Sequence, residues 1–191
     1  MVAGARSRAV FLDRDGVINR AQIRDGKPHA PASVEEWQLL PGVAETLERL
    51  HRDGFRLIVV TNQPDVAKGT HRREAVEAIH DRMRSLIPLD GVKVCYHVDQ
   101  DGCECRKPKP GMLLEAAKEW NVDLRASVMV GDRWRDIAAG QAVGCKTILV
   151  DGGYAEASDV SPDAVVSSLA EAEVVIRSRW PYHQSKGKRS T

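Results

Sequence analysis

The chain has 191 residues, 42% of them apolar and 29% charged, with a formal net charge of only +1. This is the composition of a globular domain rather than a disordered or fibrous one, and the length suits one core. The near-neutral balance argues against a chain-wide basic field for nucleic acid, and no apolar run approaches the roughly 20 residues that cross a bilayer.

Ala9–Leu12 reads as a buried strand that stops at Asp13. The short AVFL run after Arg6 and Arg8 cannot serve as a secretory core, so a cytoplasmic protein is expected. Residues 19–40 are too long for a plain connection and are expected to be a functional loop. A helix over Val43–Arg52 follows Pro41-Gly42, with Val43, Leu47 and Leu50 on one face. Residues 57–60 form a second strand, and 72–86 a helix that aligns Val76, Ile79, Met83 and Leu86. A third strand over 92–96 leads into an irregular segment, 98–110. Helices at 111–120 and 135–143 alternate with strands at 127–130 and 147–150. Such alternation implies a Rossmann-like, three-layer open parallel α/β sheet. One domain over 1–180 is expected, with 181–191 as a flexible basic tail.

In open parallel sheets ligands gather at the carboxyl ends of the strands. Here those ends carry Asp13-Arg14-Asp15-Gly16, then Thr61-Asn62-Gln63, then Lys107, then Gly131-Asp132-Arg133 with Asp136 one helical turn on. Mg²⁺ prefers hard oxygens, usually one or two carboxylates with water and phosphate. Asp13 and Asp132 can bracket it, with the backbone carbonyl of Asp15 as a third ligand. Asp13 is then able to attack phosphorus, giving an aspartyl-phosphate. Asp15, two residues on, is placed to protonate the leaving oxygen and later to activate water. Thr61 can donate to the phosphoryl oxygens and Lys107 can neutralise their charge.

Cys95, His97, Cys103 and Cys105 form a C-x-H-x5-C-x-C segment. Three thiolates and an imidazole suit tetrahedral zinc, and closed coordination assigns that zinc a structural role. The fourth cysteine, Cys145, reads as a buried small hydrophobe. Because the loop leads into Arg106-Lys107, fixing it would hold both cations over the crevice.

FLDRDGVIN, VVTNQ, RKPKPGM and VGDRWRDI, in that order, resemble the four motifs of the haloacid dehalogenase (HAD) superfamily of phosphatases. The resemblance spans roughly residues 9–150 and implies a HAD-like, capless phosphatase fold. It implies Lys107 for the phosphoryl group, Arg106 for the substrate, and Asp136 as an orienter of Asp132 or Lys107. The zinc loop is similar to those of two families within the superfamily, the heptose bisphosphate phosphatases and the histidinol-phosphate phosphatases. RKPKPGML and the lack of a fused domain resemble the former; the spacing from His97 to Cys103 resembles the latter.

The resemblance implies a phosphorylated sugar as substrate, probed by Asn19, Asn62, Gln63, Arg106 and Arg133, with Arg24, Lys27 and Lys68 as further candidates. Histidinol phosphate and a nucleic-acid 3′-phosphate are the other substrates of the same chemistry. A zinc-stabilised binding module with relic motifs is the reading from another class. A monomer without nucleic-acid or membrane partners is expected. One departure stands in the loop TNQPDVAKG, where the heptose family usually has a small residue and a glycine: Asp65 adds a negative charge that would repel a nearby second phosphate, or bind hydroxyls or an amine.

Overall fold

The computed structural model describes residues 6–24, 27–153 and 159–180, and for Arg24 and Lys27 the backbone only. Its core is a six-stranded, all-parallel sheet built on β1 (Ala9–Leu12), whose four side chains are fully buried. β4 (Arg56–Asn62) and β5 (Gly91–Cys95) extend the sheet on one side of β1. β6 (Val128–Gly131), β7 (Lys146–Val150) and β8 (Ala164–Val166) extend it on the other. Consecutive strand residues face opposite sides, and the two cores follow that period. Val10, Leu12, Leu57, Val59, Val128 and Val130 pack against α1 (Val43–Arg52), α2 (Arg73–Arg84) and α5 (Leu169–Arg179). Ala9, Phe11, Ile58, Val60 and Met129 pack against α3 (Gly111–Glu119) and α4 (Trp134–Ala142). The expected three layers are therefore present. Each buried aliphatic side chain contributes about 1.5–3 kcal/mol of transfer free energy.

Three features differ from the sequence expectation. Residues 19–40 are not wholly irregular: β2 (Gln22–Arg24) and β3 (Lys27–His29) form an antiparallel hairpin after β1, and Trp37 is buried. β8 and α5 were not expected. β8 is three residues long with only Val166 buried, and α5 hides its apolar stripe by burying Glu173 among Leu169, Ala172 and Ile176. That acid is paired with Arg49 of α1 at 2.6 Å, which is why its burial is tolerated. The expected tail, 181–191, lies outside the described residues, as do the side chains of Arg24 and Lys27. Among the described residues no helix is long and apolar enough to cross a membrane.

The sheet's order reverses at β1, since β4 lies to one side and β6 to the other. Loops leaving those strands part there and open a crevice at their carboxyl ends.

Candidate active site

β1 continues one residue beyond its last pair: the Asp13 amide donates to Val130 O at 2.9 Å. The chain then turns sharply through Gly16, at φ +91°, and the Gly16 amide donates to Asn19 O at 2.8 Å. Glycine is required there twice over, for that φ and because a Cβ would run into the Asp132 carboxylate. The turn thus brings the ends of β1 and β6 together. Asp13, Asp132 and Asp136 offer oxygens that all lie within 4.8 Å of one another.

Lys107, 2% exposed, reaches beneath them. Its ammonium donates to Asp13 Oδ1 at 2.7 Å, Asp136 Oδ1 at 2.5 Å and Val60 O at 2.6 Å, which occupies its three protons. Burial alone would lower the Lys107 pKa, but Asp13 and Asp136 hold it above its ordinary value. Asn62 fixes the same residue through the backbone, accepting from Lys107 N at 3.1 Å and donating to Lys107 O at 3.0 Å. Asp136 Oδ2 also accepts from the Arg133 amide at 3.0 Å. Asp136 thus pairs with Lys107, one of the two groups it is expected to orient.

For Asp13 and Asp132, burial outweighs the nearby positive charge. Burial, with Asp136 and Asp15 nearby, pushes Asp13 up to about 6 despite Lys107. Burial and the neighbouring Asp13 and Asp136 raise Asp132 well above the usual carboxylate range. Asp132 Oδ1 is buried without a hydrogen-bond partner. An orphaned carboxylate oxygen beside a second carboxylate, both destabilised as anions, fits a hard divalent cation. Asp13 and Asp132 could serve as its side-chain ligands in this arrangement.

Asp15 is held differently. Its Oδ1 accepts from Arg14 Nε at 3.1 Å and Asn19 Nδ2 at 2.9 Å, and its Oδ2 from Arg14 Nη2 at 2.9 Å and Gln63 Nε2 at 2.8 Å. Burial works against that charge, but Arg14, Asn19 and Gln63 hold Asp15 below its ordinary value. This corrects two expectations. Asn19 and Gln63 are buried, do not line the crevice, and grip Asp15 instead of facing the substrate. Thr61 is also buried beneath the crevice, and its hydroxyl accepts from Gln63 at 2.8 Å.

The crevice measures about 340 Å³. Asp13, Asp15, Lys107, Asp132 and Asp136 contribute to it from the strand ends. Arg106, Arg133 and Arg135 contribute cations, while Pro64, Asp65 and Lys68 come from the loop after β4 and Pro28, His29 and Ala30 from the hairpin. Arg106 and Arg133 thus lie where a substrate contact is expected. Asp99 holds two of these cations, Arg106 at 2.7 Å and Arg135 at 3.2 Å. The Asp65 carboxylate pairs with Lys68 at 3.0 Å, so the expected repelling charge is neutralised within its own loop.

The four zinc-ligand candidates converge. Cys95 Sγ lies 3.7 Å from Cys103 Sγ and 3.2 Å from Cys105 Sγ; Cys103 and Cys105 are 3.5 Å apart. His97 Nδ1 is 3.6 Å from Cys95 Sγ and 3.3 Å from Cys105 Sγ. Zinc–sulfur bonds of about 2.3 Å in a tetrahedron set sulfurs roughly 3.7 Å apart, so this cluster is close to the size zinc needs. All four cysteines of the chain are free thiols, and Cys145 is buried away from the cluster, as expected.

Sequence reasoning passed over Arg14, His80, Asp99 and Arg135. Arg14 is fully buried between two catalytic candidates and grips one of them. The only hint was its place inside DRD; for the rest, the contacts that tie them to the site, His80 to Arg14 and Asp99 to Arg135, span 66 and 36 positions of sequence.

A model of the HAD-hydrolase-like family matches residues 104–172. The chain is 39% identical over 149 residues to the D-glycero-beta-D-manno-heptose-1,7-bisphosphate 7-phosphatase of Pseudomonas aeruginosa, covering 75% of this chain and 81% of that protein. It is 36% identical over 187 residues to the protein of that name from Yersinia pestis, covering 90% and 96%. Among solved structures it is similar to the D,D-heptose 1,7-bisphosphate phosphatase from B. bronchiseptica complexed with magnesium and phosphate. That likeness has a TM-score of 0.75 at 32% identity and covers 88% of this chain and 97% of that one.

Proposed function

The chain belongs to the HAD-like hydrolase family, and from that premise we propose that it is a magnesium-dependent phosphatase removing the 7-phosphate of D-glycero-D-manno-heptose 1,7-bisphosphate. The observation that carries the chemistry is the meeting of Asp13 and Asp132 within ion-sharing distance, with Asp132 Oδ1 unpartnered. The names of relatives that cover most of the chain carry the substrate.

Magnesium, held by Asp13, Asp132 and the Asp15 carbonyl, would screen the repulsion between carboxylate and phosphate. Asp13 attacks phosphorus and the bond to the sugar oxygen breaks. Asp15, which Arg14, Asn19 and Gln63 hold ionised before substrate arrives, takes up a proton as the negative phosphate enters beside it and passes that proton to the leaving oxygen. Asp15, now a carboxylate, takes a proton from water as the water displaces Asp13 from phosphorus, which restores the enzyme. Lys107 keeps Asp13 in place and counters the charge of the transferring group. Thr61, buried beneath the crevice, accepts from Gln63 and so helps hold the amide that grips Asp15. At the other end of the substrate, Arg106 and Arg133 meet the second phosphate.

One domain over 1–180 carries every residue of this site, consistent with action as a monomer. Unbridged thiols around a zinc-sized centre suit the reducing cytoplasm. The test is phosphate release with Mg²⁺ from both anomers of the heptose bisphosphate, histidinol phosphate and a 3′-phosphorylated oligonucleotide. The heptose bisphosphates are expected to lead by at least about tenfold in kcat/KM, a difference of 1.4 kcal/mol. Preference for either of the other two would overturn the substrate.

A further inference from the structure

Behind Asp15 runs a line of polar groups that the reaction above does not use, buried at Arg14 and His80 and partly exposed at Glu77 and Tyr96. Arg14 is fully buried and grips Asp15 through Nε and Nη2, while its Nη1 lies 3.2 Å from His80 Nε2. A guanidinium can only donate, so His80 Nε2 accepts, and the imidazole proton sits on Nδ1. Nδ1 faces Glu77 Oε2 at 3.4 Å, and the other Glu77 oxygen accepts from the Tyr96 hydroxyl. Tyr96 stands between Cys95 and His97, two of the four zinc-ligand candidates. Arg73 covers its ring at 4.2 Å.

The chemistry is consistent along the line. Burial, helped by Arg14, lowers His80 to about 4, so it remains a neutral acceptor. Burial works against the Glu77 charge, but the Tyr96 hydroxyl and His80 hold its pKa below the ordinary value. An isolated guanidinium in this position would be costly to bury; here each of its neighbours is itself held by the next group.

We propose that His80, Glu77 and Tyr96 are positioning residues that fix Arg14, and through Arg14 fix where the Asp15 carboxyl stands when it hands a proton to the leaving oxygen. The proposal rests on the phosphatase reading. The alternative for such a chain is simple structural support, and the two differ in what they do to leaving groups. A sugar oxygen leaves poorly without a proton, whereas p-nitrophenolate needs none. Misplacing Asp15 therefore slows the sugar phosphate selectively, while general loosening slows both.

The test compares kcat/KM for the sugar phosphate and for p-nitrophenyl phosphate in three single variants and one double variant with its Asp15→Asn background. His80→Leu removes the acceptor and is expected to cost about tenfold or more on the sugar phosphate, within the range of general acid catalysis, and under about threefold on the aryl ester. His80→Gln, which can still accept from Arg14, should restore most of the loss. Tyr96→Phe should show the same selectivity at smaller size. In an Asp15→Asn background His80→Leu should add little, as expected for residues acting as a unit. Equal losses on both esters, or no loss, would overturn the positioning role. Nitrogen-15 NMR of the wild-type imidazole at pH 7 reads the chain without any substrate: a neutral ring protonated on Nδ1 supports it, and one protonated on Nε2 overturns it. A wild-type protein that fits the NMR expectation but releases phosphate from neither ester would overturn the phosphatase reading, and the positioning role with it.

Discussion

At the floor of the crevice Lys107 is 2% exposed and all three of its protons meet acceptors. At the rim, Arg106 leans on an Asp99 side chain that is 58% exposed, and Lys68, itself 53% exposed, pairs with Asp65. Both regions put cations beside carboxylates. The floor pairs are taken out of water, where geometry is fixed and removing one partner is expensive. The rim pairs stay wet, where each is worth at most about 1 kcal/mol and can be exchanged for a ligand. The difference suggests that the reacting groups are preorganised by burial while recognition is left to exposed pairs that a phosphate or hydroxyl can displace.

The sharpest way to break this comparison is at the nucleophile. Asp13→Asn keeps the size of the side chain and removes its charge, so the fold should survive while phosphate release falls by about a thousandfold or more, as when one member of a catalytic unit is removed. Circular dichroism with steady-state kinetics checks both halves. Activity within tenfold of wild type would exclude Asp13 as the attacking group.

The loop carrying Cys95, His97, Cys103 and Cys105 joins the two regions, and they should respond differently to loss of an ion from that cluster. Lys107 is clamped through its backbone by Asn62, independently of the cysteines, whereas Arg106 is tied to Asp99 on the loop. Cys105→Ser or chelation should raise KM by about tenfold or more, in line with losses at metal sites, and lower kcat much less. Elemental analysis should find one zinc per chain, and its absence would reject the site.

Where the sequence could be read, the reason was local. Asp13 and Asp132 stand at strand ends and the cysteines close together, so position and spacing singled them out, whereas Lys107 lies well beyond the end of β5 and its phosphate role came from the family resemblance. Asp15 was found as well, but its surroundings were not: Asn19 and Gln63 looked like substrate contacts because they flank motifs, and burial turned them inward onto Asp15. Arg14 and His80 lie 66 positions apart, and no pattern of charge or period announces such a pair. β8 was missed because three residues with one buried side chain carry little period-two signal, and α5 because a paired Glu173 replaces an apolar residue.

Burial of the floor's carboxylates gives a pH signature in metal-free protein. Asp13 rises from an ordinary 3.8 to about 6 on folding. The folded chain therefore binds protons that the unfolded chain has released, and stability falls as pH rises through that window. Asp132 acts in the same direction. Mg²⁺ should reverse the trend, stabilising by about 2.7 kcal/mol at a hundredfold excess over its Kd and doing so more at pH 7.5 than at pH 5. Thermal melts with and without the ion measure this; a stabilisation independent of pH would deny that these carboxylates hold it.

The rim should give smaller effects, and the two rim pairs should differ. Arg106 lines the crevice and is tied to Asp99 through Nε. Arg106→Ala should raise KM for a sugar bisphosphate by about tenfold, the loss of one charged hydrogen bond, with kcat nearly unchanged and a monophosphate little affected. Asp65 and Lys68 already neutralise each other in the open. If the pair binds hydroxyls as a neutral unit, Asp65→Asn should change KM by no more than about threefold, since an exposed pair is worth under about 1 kcal/mol. If Asp65 instead repels the second phosphate, the same change should improve affinity for the bisphosphate alone. Measuring KM for bisphosphate and monophosphate side by side separates these outcomes, because a hydroxyl contact moves both and a repulsion moves only one.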